Sequence, residues 1–469
     1  MHIISCLVGA FGILLWSFWR FNRLTARAWD FNFTRKTEST RKRQIQDINA
    51  LVDFHQTAAA LADLIHYDGA GSWPPKANHE HSAWPRALQA YKEIYLELAP
   101  LLPKMKPSLD DDTNREDIAN FRSRFRQLLR DRVDLAKVKH LLEAAEAGRS
   151  DVFPRDMYNA FYCCIASSRH AYRWATIPVV KVAQLERTVD FPAELDEPWA
   201  YLQRQYGCSS PSGNNTSNLV LNFDVHGQHV FRINTGMPDL VTSSEEAFAR
   251  IFYNVELLGL PVYHDMVLAT ITFARGDKTA CMKHMAGITA QLRPLLSSYY
   301  DRMHDQKIAR SVWLSHVQGF FAWGIGYEDE KNKTWVKFDG LSGNQALLFQ
   351  ALDAFLGFEP YLSSQDQNRN VPARQRTLSR AFKKHSFREL LKDGLGDETE
   401  DQIANEFKEI AKQLRVFRTA HRTRAKTYLS QPAPERLPMT AGKSLLESDM
   451  DESLQFLDKF MVRRLAQTI

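Results

Sequence analysis

The chain has no strong excess of either charge, few cysteines and none of the short motifs of several common enzyme classes. Lys and Arg total 60 and Asp and Glu total 55, so net charge gives no argument for a nucleic-acid partner. The five cysteines are odd in number and lack C-x-x-C spacing, which favours free thiols in a reducing compartment. The G-x-x-x-x-G-K, G-x-S-x-G and H-E-x-x-H motifs are absent. The near balance of charge favours a small or neutral substrate.

The composition predicts a folded, mostly helical protein. Hydrophobic residues make up 44% and charged residues 25% of the 469 positions, which suits two globular domains with appended tails. Apolar residues recur at helical spacing through most of the chain, and the Ser- and Asn-rich stretch Ser209–Asn218 is the best candidate for a boundary. We predict an N-terminal segment (1–40), a smaller helical domain (41–208), a larger helical domain (219–430) and a C-terminal tail with an amphipathic helix (431–469).

The N-terminal segment predicts a membrane anchor. Residues 3–19 form a nearly uncharged apolar run, and several arginines follow it. The run is at the short end of what spans a bilayer, and the basic flank would lie on the cytoplasmic side. The catalytic body would then be cytoplasmic. A cleaved signal peptide and a buried helix remain the alternatives.

One strand pair is predicted beside the boundary. Leu219–Val225 and His229–Asn234 contain alternating or β-branched apolar residues around a short turn. We therefore expect an all-α fold with one short β-hairpin. Asp224, His226 and His229 could bind a metal there, but a hairpin turn is the simpler interpretation.

A histidine continues the apolar stripe of the helix predicted from about Glu400 to Tyr428. Steps of three and four residues lead from Ile403 through Phe417 to His421, so its imidazole should point inward. A buried imidazole needs a partner. The simpler hypothesis is a core histidine bonded to a carbonyl, and the other is an axial ligand to haem iron with nearby cations balancing propionate charge.

A second pattern joins a glycine-containing loop to an apolar helix. Gly340–Gln345 precedes the predicted helix Ala346–Leu356, where free N–H groups could bind an oxygen of a ligand, although an ordinary helix cap is the commoner explanation. Asp353 shares the apolar face of that helix, and a buried carboxylate should be paired. Arg418 is a candidate partner if the two helices pack together, and an exposed Asp353 is the alternative.

Together these segments resemble the indoleamine 2,3-dioxygenase superfamily of haem-dependent oxygenases. The resemblance covers about Val241–Leu429 and is strongest in two motifs, Gly340–Gln345 with the helix after it, and Leu414–His421. The Phe-Asp-Gly-Leu-Ser-Gly sequence that ends at Gly343 is also similar to the branch containing monodechloroaminopyrrolnitrin synthase, which rearranges a chlorinated tryptophan.

The resemblance implies a haem b enzyme that inserts O2 into the indole ring of tryptophan or a related indole and depends on an electron donor. His421 would bind the iron, and an Arg418–Asp353 ion pair would orient its helix. Ser342 would face the substrate in a loop whose glycines, Gly340 and Gly343, allow close approach. Matching Val255 and Glu256 to the family's distal helix would also put Phe248 over the substrate ring. It would put Phe252 where a small residue is common, which would narrow the pocket.

One position departs from the family pattern. Ser311 stands where the resemblance leads us to expect an Arg that binds the substrate carboxylate, and Arg310 beside it would point about 100° away around a helix. Three explanations are open: the helix is rotated there, another group binds the substrate carboxylate, or the substrate has no carboxylate. Two other functions stay open, namely oxidative rearrangement or monooxygenation of a modified tryptophan in secondary metabolism, and a non-catalytic haem-binding or membrane-anchored interaction protein.

Overall fold

The computed structural model consists mainly of α-helices. It describes residues 38–69, 76–329, 331, 333–338, 340–391, 397–429, 439–440, 443–444, 458–459 and 461–468. The predicted all-α fold is confirmed. In chain order, the α-helices are α1 (38–49), α2 (Gln56–Tyr67), α3 (Arg86–Leu98), α4 (Asp111–Arg132), α5 (Leu135–Glu146), α6 (Arg155–Trp174), α7 (Lys181–Leu185), α8 (Ala193–Tyr206), α9 (Asp239–Ala274), α10 (Lys278–Tyr300), α11 (Arg310–Val312), α12 (Gln318–Phe321), α13 (Leu347–Phe355), α14 (Ser364–Asn370), α15 (Ala373–Lys384) and α16 (Glu398–Leu429).

Short helical turns and a small amount of sheet connect these helices. The antiparallel hairpin pairs β1 (Gly326–Asp329) with β2 (Thr334–Lys337), so that Tyr327 lies opposite Val336. A second pair, β3 (Met439–Thr440) and β4 (Lys443–Ser444), has two residues in each strand. The 3-10 turns are His81–Ala83, Ala99–Lys104, Gly343–Gln345 and Arg388–Leu391, and the π-helical turns are Thr216–Val220 and Trp313–Val317.

The hairpin was predicted at the wrong place. In the Leu219–Asn234 region, which the structure describes throughout, Thr216–Val220 is a π-helical turn and a single isolated bridge joins Phe223 to His229. Leu219 and Leu221 are both almost completely buried. The apolar run therefore reflects burial on several sides and not the alternating faces of a strand.

The described residues form two large apolar cores and a third, small cluster of Trp323, Ile325 and Phe338. Of the two large cores, the smaller is built from α3 to α8, and the larger from α9, α10, α13, α15 and α16. The larger core also takes in Ile48 from α1 and Leu61 from α2, two helices that the sequence predicts to belong to the smaller domain. The division at Ser209–Asn218 stays a prediction.

The Ser- and Asn-rich stretch between the cores is buried, although its composition predicts an exposed connection. Ser212, Asn214 and Thr216 are each at most 5% exposed. The Asn214 amide donates to Tyr162 Oη at 3.0 Å, and Gln375 Nε2 donates to Thr216 Oγ1 at 3.0 Å. Hydrogen bonds of this kind offset the cost of burying polar groups, so the stretch joins the two cores.

One described helix, α9, is long and apolar enough to cross a membrane, but 56% of its most apolar stretch is buried inside the protein, as in the core helix of a globular domain. The anchor predicted at residues 3–19 lies outside the described residues, as does most of the predicted C-terminal helix. In the described part of that tail, residues 461–466 are helical. Cys163, Cys164, Cys208 and Cys281 are free and buried.

A buried carboxyl group ties α9 to the start of α13. Glu256 Oε1 accepts the backbone N–H of Leu348 at 3.2 Å, and Tyr263 Oη donates to Glu256 Oε2 at 2.9 Å. Burial raises the pKa of Glu256 to about 7. The contact fixes the helix that follows the Gly340–Gln345 loop.

The raised pKa of Glu256 predicts that stability falls as the pH rises. The protonated carboxyl favours the folded state fully below the ordinary pKa near 4.5, and this contribution is lost as the pH passes about 7. Between pH 5 and 8, the free energy of unfolding of wild type, measured with denaturant, should fall by about 2 kcal/mol relative to that of Glu256→Gln. The exposed Glu398→Gln variant should show the same pH dependence as wild type. If the free energy of unfolding changed equally with pH in Glu256→Gln and in wild type, the raised pKa of Glu256 would be contradicted.

Candidate functional site

A largely apolar cavity lies inside the larger core, between α9, α10, α16 and the Gly340–Gln345 loop. Its empty volume is about 1250 Å³, a figure that includes the part open to solvent. Six of the residues predicted for the site line it: Phe248, Phe252, Ser342, Gly343, Arg418 and His421.

His421 reaches the cavity from α16 and is held between aromatic rings. Its ring centroid lies 5.9 Å from that of Phe417, nearly parallel, and 5.7 Å from that of Tyr299, edge to face. Nδ1 is buried, and neither ring nitrogen has a hydrogen-bond partner among the described residues. The structure therefore does not support the simpler hypothesis of a core histidine bonded to a carbonyl.

The imidazole of His421 is neutral at physiological pH. Burial, and secondarily the nearby positive charge of Arg464, lower its pKa to about 4. A neutral imidazole with a free nitrogen lone pair is the form that binds a metal ion. The side chain is therefore in the protonation state that an iron ligand requires.

Aromatic rings make up a large part of the cavity wall. Phe417 stacks on Phe349 at 5.1 Å, and Tyr299 meets Phe417 edge to face at 5.1 Å. On α9, Phe248 and Phe252 contact each other edge to face at 5.3 Å. This wall gives a water-poor surface for a flat, apolar ligand.

The Gly340–Gln345 loop is held rigidly against this wall. Gln345 Nε2 donates to the Gly340 carbonyl at 3.2 Å, and Gln345 Oε1 accepts the backbone N–H of Asn215 at 2.9 Å. Gly340 is thus a buried part of the loop and does not line the cavity. Ser342 does line it, and its Oγ also accepts the Asn344 N–H at 3.3 Å.

Gly343 lies close to two side chains of the cavity wall. A Cβ at this position would lie 3.2 Å from Tyr299 Oη and 3.5 Å from a ring carbon of Phe252. A side chain here would press on both walls of the cavity.

A buried ion pair fixes α16 against α13. Arg418, one turn before His421, donates through Nη2 to Asp353, and the two side chains are only 7% and 3% exposed. Arg418 Nη1 also donates to the backbone carbonyl of Arg464 at 3.2 Å. The structure therefore brings together the pair predicted from helical periodicity and the family resemblance.

Two residues of the cavity, Met461 and Arg464, come from the C-terminal tail, for which no site was predicted. An amphipathic pattern predicts a docked helix near there, but no pattern shows where it docks. Arg310 lies outside the cavity wall, because its guanidinium pairs with Asp305 at 3.3 Å and is 40% exposed.

Comparison with known families matches residues 229–456 to the model described as Indoleamine 2,3-dioxygenase. The matched segment contains every residue predicted for the site, from Phe248 to His421, and ends before Arg464. No curated protein matches the chain.

The Asp353–Arg418 pair should contribute strongly to stability. Asp353→Ala would leave the Arg418 guanidinium buried without its carboxylate, which typically costs about 3–5 kcal/mol. Asp305→Ala is the matched control, because it breaks a solvent-exposed pair worth about 1 kcal/mol or less. Denaturant unfolding monitored by circular dichroism measures both. Equal losses in the two variants would refute the role given to the buried pair.

Proposed function

Residues 229–456 belong to the indoleamine 2,3-dioxygenase superfamily, whose members are haem-dependent oxidoreductases, and from this premise we propose that the chain inserts O2 into the indole ring of tryptophan or a related indole. The observation that carries the proposal is His421, a neutral imidazole without a hydrogen-bond partner in an apolar, aromatic cavity. Haem b is the cofactor of the family.

The residues of the cavity fit this cofactor. His421 would bind the iron, and the Arg418–Asp353 pair would keep α16 in the orientation that points the imidazole into the cavity. Bound there, haem supplies the iron that binds and activates O2. The guanidinium of Arg418 brings a positive charge to the same wall, which suits the propionate groups.

The remaining work of the protein is to exclude water and to position the indole. Phe248 and Phe252 present apolar ring surface, while Ser342 offers a hydroxyl in the same cavity. The described residues that line the cavity include no carboxylate and no histidine other than His421. Accordingly we assign no side chain the role of a general base. An external electron donor would keep the iron reduced.

The departure from the family pattern at Ser311 supports a second candidate reaction. Ser311 is exposed and Arg310 is paired with Asp305, so neither supplies the carboxylate contact expected from the family. This favours a substrate whose carboxylate is absent or bound elsewhere, as in oxidative rearrangement or monooxygenation of a modified tryptophan.

Loss of the imidazole should abolish normal haem ligation. We expect wild type reconstituted with haem b to show a histidine-ligated absorption spectrum, and His421→Ala to lose it together with all turnover, because no other described histidine lines the cavity. His140→Ala, on the exposed side of α5, should match wild type. Added imidazole should partly restore the spectrum of His421→Ala.

Two results would contradict this assignment: a colourless wild type after reconstitution, or a fully pigmented His421→Ala variant with an unchanged spectrum. Mass spectrometry of products formed under 18O2 then separates the reactions. Two labelled oxygen atoms indicate dioxygenation, whereas one or none indicates monooxygenation or rearrangement. Haem binding without turnover of any indole, with ascorbate and a mediator present, would favour a non-catalytic haem protein.

We further propose that residues 3–19 attach the enzyme to a membrane with its catalytic body in the cytoplasm. The support is their apolar composition and the arginines that follow. The full chain should sediment with membranes and resist a carbonate wash, and a chain lacking residues 2–36 should remain in the supernatant. A full chain found entirely in the supernatant would refute the anchor.

A further inference from the structure

The cavity wall carries positive charge that its own residues do not balance. Among the described residues that line the cavity, the charged side chains are the guanidinium groups of Arg418 and Arg464. A single carboxylate, that of Asp353, lies behind them: Arg418 bonds to it directly, and Arg464 Nη2 is 3.6 Å from it. Two cations therefore share one anion in a largely water-excluded place, which favours a further negative charge.

The two guanidinium groups differ in exposure and in how closely they pair with Asp353. Arg418 is only 7% exposed, and its hydrogen bonds go to Asp353 and to a backbone carbonyl. Arg464 is 14% exposed, and its Nη1 donates to Asn344 Oδ1 at 2.8 Å. In both groups Nε is buried without a partner among the described residues. Arg464 is the more exposed of the two and the less closely paired with Asp353, since its Nη2 lies 3.6 Å from that carboxylate.

Arg464 is also held in a fixed orientation. Its guanidinium carbon lies 3.6 Å from the ring centroid of Tyr361, whose hydroxyl donates to the Asn344 carbonyl at 2.7 Å. The segment that carries Arg464 is joined to α16 by an ion pair between Arg422 and Asp458, at 2.6 Å. A planar guanidinium already ordered in this way loses little entropy when it binds a carboxylate.

We propose that Arg464 is the carboxylate-binding residue of this cavity, supplied by the C-terminal tail in place of the arginine that the family pattern leads us to expect at position 311. The inference rests on the proposed function, because the carboxylate belongs either to a haem propionate or to the indole substrate. Both sources share one chemistry, and binding experiments separate them.

The first experiment measures binding of haem b and of haem dimethyl ester, which lacks free carboxylates, to the full apo chain. Arg464→Gln is compared with wild type and with Arg463→Gln, which removes the same charge from an exposed neighbour. If the propionate is the ligand, Arg464→Gln should weaken haem b by about tenfold or more, the size of a lost charge-assisted hydrogen bond. Its affinity for the dimethyl ester should match that of wild type.

The second experiment titrates the haem-loaded proteins with indole-3-propionic acid and with indole, following the change in absorption. If the substrate carboxylate is the ligand, Arg464→Gln should lose about tenfold in affinity for the acid and none for indole. Arg464→Lys should recover part of either loss, since it keeps the charge but not the fork of donors.

Arg464→Gln could lose equal affinity for haem b and haem dimethyl ester, and equal affinity for indole-3-propionic acid and indole. That result would overturn the proposal, since Arg464 would then only support the fold. An unchanged Arg464→Gln variant would overturn it as well. Failure of the proposed function looks different: wild type and Arg463→Gln would both fail to give a histidine-ligated haem spectrum, and the inference would fall with it.

Discussion

The site depends on a buried ion pair that fixes one helix against another. Asp353 on α13 and Arg418 on α16 are almost completely buried, so neither charge can be left without the other at low cost. An α-helix places residues three apart on the same face, and His421 therefore follows the orientation that Arg418 imposes. The same constraint brings the backbone of the C-terminal segment to Arg418, through the Arg464 carbonyl.

Polar side chains perform a comparable role between the two cores. Gln345 links the loop at the cavity to Asn215 in the Ser- and Asn-rich stretch, and Gln375 links α15 to Thr216. Such bonds have directions, whereas apolar packing alone tolerates small shifts. The loop that carries Ser342 and Gly343 is thus positioned by groups that look like an exposed linker in the sequence.

The helices and the inward-facing residues could be predicted because both follow from periodicity. The stripe that ends at His421 needs only the geometry of one helix. The hairpin was misplaced because Leu219 and Leu221 are buried in different cores, and two-sided burial produces the same apolar run as a strand. The true hairpin, β1 with β2, has four residues in each strand and exposed Tyr327, so it carries little hydrophobic signal.

What could not be predicted is how distant segments meet. Arg464 is separated from Asn344 by 120 positions, and an amphipathic pattern says that a segment docks without saying onto which surface. A cation gains most from docking where a carboxylate and an aromatic face already stand, and Asp353 and Tyr361 supply both. The tail then places its guanidinium where the exposed Arg310 cannot reach, because that side chain lies outside the cavity and pairs with Asp305. A segment beyond the matched region can therefore bring a cation to the cavity, provided that a buried carboxylate is there to hold it.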